Sequence, residues 1–153
     1  MGQIILVKQT PWQISFYLIL ILLFTFSACS VRLIADYDET TDNEVTQLQK
    51  KVDTFLISLE RMIGVDNEAA YSKNTKFYDE IRVDLSAIQV RAKARVNNEI
   101  TLRQIEEIKK SLDALEQLHR LGFQKVEEIK PLRDAFNESF SAILKLELAK
   151  KKK

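Results

Sequence analysis

Six apolar residues, Val45, Leu48, Val52, Phe55, Leu59 and Met62, recur at spacings of 3, 4, 3, 4 and 3. That period keeps one stripe of an α-helix apolar, whereas on a strand it would scatter over both faces. Leu56 and Ile63 widen the stripe toward a globular core face. Thr41 and Glu44 have capping-box spacing and predict the helix start, and Gly64 predicts its stop.

The pattern repeats along the chain. A second helix, starting between Asp66 and Thr75, carries Tyr78, Ile81, Leu85, Ile88 and Ala92, with Phe77 beside them and Asn97–Asn98 closing it. A third opens at Thr101 and Gln104, again spaced as a capping box, with Ile100 and Ile105 as a hydrophobic staple. Its seam is Ile105, Ile108, Leu112, Leu115 and His119, ended by Gly122, with Phe123 placed to meet Leu118. A fourth begins near Pro131 and buries Ile129, Leu132, Phe136, Phe140, Ile143 and Leu144.

Each helix is apolar on one face only, so all must share one core. The three glycines and two prolines are too few for an all-β fold, which needs frequent turns. Short links make neighbours antiparallel. The expected fold is all-α, an up-down four-helix bundle, with three helices and an irregular 124–130 stretch as the alternative.

Residues 1–28 differ from the rest. They hold Lys8 as their one basic residue and no acid, and the run "ISFYLILILLFTF" from Ile14 to Phe26 is almost wholly apolar. Ser27, Ala28 and then Cys29, the only cysteine, follow. A basic start, an apolar run of this length and small residues before a cut describe a secretory signal peptide. An uncleaved membrane anchor is the alternative, although a span needs about 20 apolar residues. N-terminal myristoylation does not fit, because residue 6 is leucine. The segments are therefore residues 1–28 as leader, 29–40 as tether, 41–149 as bundle and 150–153 as a basic tail.

With the leader removed, 22 basic and 22 acidic residues remain, a formal charge of zero. A nucleic-acid partner would call for a basic excess, so none is expected.

The stretch "SAC" at 27–29 resembles the lipobox of bacterial lipoproteins, with Phe26 standing where that class prefers leucine. The resemblance implies acylation of the Cys29 thiol, cleavage before it, and a bundle held on a membrane. Ser30 in place of aspartate implies the outer membrane of a Gram-negative envelope, with the inner membrane as alternative. The segments "CSVRLIADYDETTD" and "FNESFSAILKLELAKKKK" are similar to those of small helical lipoproteins of Gram-negative bacteria, a group that brings no catalytic residue with it. Cys29 is the one functional position that transfers.

No familiar chemistry appears in the remainder. The sequence "EQLH" at 116–119 is one E-x-x-H motif, but His119 is the only histidine, so a di-iron bundle lacks its second. His119 is expected to be structural, at the carbonyl end of its helix. An EF-hand counted from Asp36 fails at Thr41 and Gln47. No cofactor or metal is expected, and the chain is not expected to be an enzyme. Lys150–Lys153 are expected to be a solvated end.

One feature points to a partner. Val83, Ala87, Val90 and Ala94 make a second apolar stripe on the second helix, opposite its core seam, with Arg82, Arg91 and Lys93 as a charged rim. It is either sandwiched within the bundle or open to an envelope protein or a second copy. A cavity between the helices would instead make the chain a carrier of a small apolar ligand.

Overall fold

The structure is a computed structural model that describes Trp12, residues 34–65 and residues 67–152. Cys29, the apolar run before it, Asp66 and Lys153 lie outside the described residues. Four long helices account for nearly all of the rest. They are α1 (Glu39–Met62), α2 (Tyr71–Lys93), α3 (Glu99–Leu121) and α4 (Lys130–Lys151), with a 3-10 turn at Val126–Glu128 before the last. Each helix packs against two others in the ring α1–α2–α3–α4–α1, so the bundle is closed and up-down. The three-helix alternative falls because α4 starts at Lys130 with Pro131 in its first turn.

The four predicted seams meet in one core. Val45, Leu48, Val52, Leu56 and Leu59 of α1 face Tyr78, Ile81, Leu85 and Ile88 of α2 and Ile105, Ile108, Leu112 and Leu115 of α3. Ile129, Phe136, Phe140 and Ile143 close the core from α4, and Leu132 and Leu144 pack at its edge. Gly64 and Gly122 have φ of +82° and +87°, the left-handed backbone that lets α1 and α3 stop without a Cβ clash.

The helix starts differ from the expected ones. Asp38, not Thr41, is the N-cap of α1, and Asn98, not Thr101, is the N-cap of α3. Thr41 and Thr101 sit three residues inside, fully covered. Their hydroxyls bond other partners there: Thr41 donates to the carboxylate of its own N-cap residue, Asp38, at 2.6 Å, and Thr101 lies 2.9 Å from Lys150 Nζ on α4. Neither capping box forms, and Glu44 Oε2 and Gln104 Oε1 are buried without a hydrogen-bond partner. Ile100, now inside the helix, is 40% exposed and staples nothing. Phe123 stacks on the His119 ring, with centroids 5.6 Å apart, while Leu118 stays open to solvent.

The basic end also differs. α4 continues through Lys151, and Lys150 is 6% exposed, so this lysine belongs to the bundle and not to a solvated tail.

Candidate interaction surface

In a closed ring each helix has one inward face, and α2 spends it on Tyr78, Ile81, Leu85, Ile88 and Ala92. Val83 and Val90 lie opposite, 68% and 67% exposed, and Ala87 and Ala94 are exposed beside them. The sandwiched alternative is thereby overturned: no other helix of the bundle covers this stripe. The four residues form one outward apolar ridge on an otherwise charged surface.

The expected rim is a different matter. Arg82 bonds Asp113 at 2.6 Å and also Glu116, both on α3. Arg91 makes a two-pronged contact with Asp38 at 2.6 and 2.7 Å. Both arginines therefore hold the bundle together. Of the three rim residues, only Lys93 has no ion pair among the described residues.

The bundle end at which α1 begins is stitched by polar groups. Arg91 keeps the Asp38 carboxyl far below its ordinary value, chiefly by hydrogen bonding and against the effect of burial, with help from Thr41. Ala35 N–H donates to Asn97 carbonyl at 2.8 Å, so the chain entering α1 is tied to the α2–α3 link. Deeper in, Lys150 Nζ meets Glu147 Oε1 at 2.5 Å and Asn98 Oδ1 at 2.8 Å. The Asn98 amide donates in turn to the Ala92 carbonyl at 3.1 Å, one of the orphan acceptors at the end of α2. Glu147 and Lys150 were missed in the sequence because charged side chains suggest a solvated surface.

The opposite end holds His119, 1% exposed among Phe55, Tyr71, Tyr78 and Phe123. Its Nε2 is 2.7 Å from the Ala69 carbonyl, which can only accept, so Nε2 carries the proton. Nδ1 then accepts from the Tyr78 hydroxyl at 2.7 Å. Burial lowers the imidazole pKa, partly countered by the Ala69 bond, and keeps the ring neutral. Both ring nitrogens are engaged, which leaves His119 no lone pair for a ligand.

Beside it, Glu116 takes Tyr71 Oη at 2.5 Å, Arg120 at 2.7 Å and Arg82. The Tyr71 hydrogen bond, then those of Arg120 and Arg82, bring its pKa down to about 2 despite burial. The Glu116–Arg120 spacing of one helical turn is the one signal in the sequence that could have pointed to this cluster. Among the described residues no group of three or more His, Cys, Asp or Glu side chains is placed to hold a metal.

A groove of about 540 Å³ opens between α1 and α2 over the stacked rings of Phe55 and Phe77, whose centroids are 3.6 Å apart. Four lysines rim it: Lys51 is paired with Asp84, Lys73 with Glu68 and Lys76 with Glu80, while Lys50 has no ion pair among the described residues. Among the described residues no helix is long and apolar enough to cross a membrane. No protein-family model matches the chain, and comparison with curated proteins and with solved structures yields no match.

Proposed function

We propose that this chain is a lipid-anchored module of the bacterial cell envelope that works by binding and not by catalysis. Its anchor is Cys29, acylated after cleavage of residues 1–28. Its bundle faces the periplasm, from the inner leaflet of the outer membrane or from the inner membrane. The observation that carries the binding role is the outward ridge Val83, Ala87, Val90 and Ala94. Isolated apolar side chains on a surface need no explanation, but an aligned row along one helix face marks a docking surface.

Incorporation of labelled palmitate into the wild-type chain, lost in Cys29→Ala, tests the anchor. An unlabelled wild type rejects it. Photo-cross-linkers placed at Val83 and Val90 in intact membranes test the ridge, which should give discrete adducts. Cross-linkers at Lys110, exposed on α3, should give none.

A second reading rests on the Phe55–Phe77 groove, where a small apolar ligand would lie against the rings. An apolar fluorescent probe displaced by membrane lipid extract would favour it. Binding unchanged by Phe77→Ala would remove it.

A further inference from the structure

We propose that the occupant of the α2 ridge is the same ridge of a second copy, docked antiparallel; this rests on the reading of that ridge as a docking surface. Asp79, Val83, Ser86, Val90 and Lys93 follow at spacings of 4, 3, 4 and 3, so they line one side of the exposed stripe. Asp79, Ser86 and Lys93 are exposed like the two valines. No ion pair within the described residues engages Asp79 or Lys93. The other charges of this helix are paired within the same chain: Arg82 with Asp113 and Glu116, Asp84 with Lys51, Arg91 with Asp38, Lys73 with Glu68, and Lys76 with Glu80.

The ridge thus carries one free anion toward its N-terminal end, one free cation toward its C-terminal end, and a small centre at Ser86 and Ala87. Such an arrangement complements itself when reversed. A two-fold axis crossing the helix between Ser86 and Ala87 sets Val83 of one copy against Val90 of the other. It brings Asp79 beside the other copy's Lys93, and both contacts occur twice, as an isologous interface requires. A parallel pairing would instead put like charges together. Ser86 and Ala87 at the crossing let the helix axes approach to the short end of the usual 8–10 Å.

One helix pair covers less than the roughly 1,200 Å² of a standard interface, so association in dilute solution is weak. Two copies tethered to one membrane meet at a far higher effective concentration, and a contact of this size then suffices.

The test uses the full chain in membranes. Val83→Cys and Val90→Cys are carried on differently tagged copies, with the wild type and its Cys29 as background. The expected result is an oxidative disulfide between positions 83 and 90 that exceeds the 83–83 and 90–90 products. Those same-site pairs would lie about 10 Å out of register along the axis. Asp79→Lys alone, or Lys93→Asp alone, should lower the 83–90 yield roughly fivefold, as the loss of two exposed ion pairs would. Both changes on one chain should restore it.

Equal yields of all three products, or no rescue in the double variant, overturn the antiparallel pairing. A discrete adduct to a different protein with no product between copies overturns self-association and leaves the docking surface standing. If neither position forms any adduct, the pairing and the docking surface both fall.

Discussion

The Tyr78 hydroxyl stands 2.7 Å from Nδ1 of His119, the nitrogen left to accept once Nε2 donates to the Ala69 carbonyl. Protonating Nδ1 would turn the hydroxyl round to accept and would leave a cation buried among aromatic rings, which burial disfavours. Burial already holds the ring's pKa below its ordinary 6.5. Below pH 6.5 the unfolded chain therefore binds a proton that the folded chain refuses, and stability falls with pH until the folded value is reached. Above 6.5 the contribution is complete. Urea unfolding should show a decline between pH 7 and pH 5, and His119→Gln should flatten it while costing about 1–3 kcal/mol for the two altered buried bonds. An equal slope in both proteins would place the titrating group elsewhere.

A second acid transition belongs to Glu116 and Asp38. Their carboxyl pKa values lie below the ordinary 4.5 and 3.8, so the stability they contribute is present above those values and is lost as pH falls toward 2. Glu116→Gln should weaken this lower transition and leave the decline that begins below pH 6.5 in place. Helical circular dichroism followed from pH 5 to pH 2 separates the two.

Lys150 and Glu147 make a different case, 3% and 1% exposed at their side chains. Breaking a buried pair leaves one charge uncompensated, so Lys150→Ala should cost about 3–5 kcal/mol. Removing both charges in favour of apolar groups of similar size is often neutral or stabilising. Glu147→Leu with Lys150→Met is therefore expected to be more stable than Lys150→Ala alone. A double variant less stable than either single change would mean that Asn98 and Thr101 depend on the lysine more than its carboxylate does.

The seams explain why the fold could be read and the polar ends could not. In α1 the row Asp38, Thr41, Val45, Leu48, Val52, Phe55 and Leu59 keeps the spacing 3, 4, 3, 4, 3, 4. In α3 the row Asn98, Thr101, Ile105, Ile108, Leu112, Leu115 and His119 does the same, and in α4 Phe136, Phe140 and Ile143 lead on to Glu147 and Lys150. Every one of these polar residues is buried. A search for apolar periodicity stops at the last hydrocarbon side chain, one to two turns before the buried row ends. Extending the register would have found Glu147 and Lys150 and moved both caps outward to Asp38 and Asn98. The Tyr71–Arg82–Glu116–Arg120 cluster has no such signal, because two helices, α2 and α3, supply it from distant parts of the chain. The α2 stripe was visible as spacing, but spacing does not say whether a second apolar face, opposite the core seam, is covered as well.

Leu112 is fully buried at the centre of the α3 row. Leu112→Ala removes the methyl groups and leaves a cavity that the surrounding side chains fill only in part. The expected loss is ~2–5 kcal/mol in urea unfolding. A loss under half a kcal/mol would show that the core re-closes around the site, and that α3 is free to shift against α2 and α4.

Val90→Glu separates surface from core on the other face. At 67% exposure its side chain touches little, so the folded domain should change by no more than ~0.5 kcal/mol and melt within a few degrees of wild type. In the antiparallel pair, however, the new carboxylate would be pressed against Val83 of the second copy and stripped of water. An uncompensated charge at the centre of so small a contact is costly enough to abolish it. Photo-cross-linking from Val83 in membranes should therefore lose its product in this variant, with helical content unchanged. A melting point lowered by tens of degrees would contradict the exposure of the ridge. An unchanged melt with an undiminished product would show that the contact does not pass through Val90.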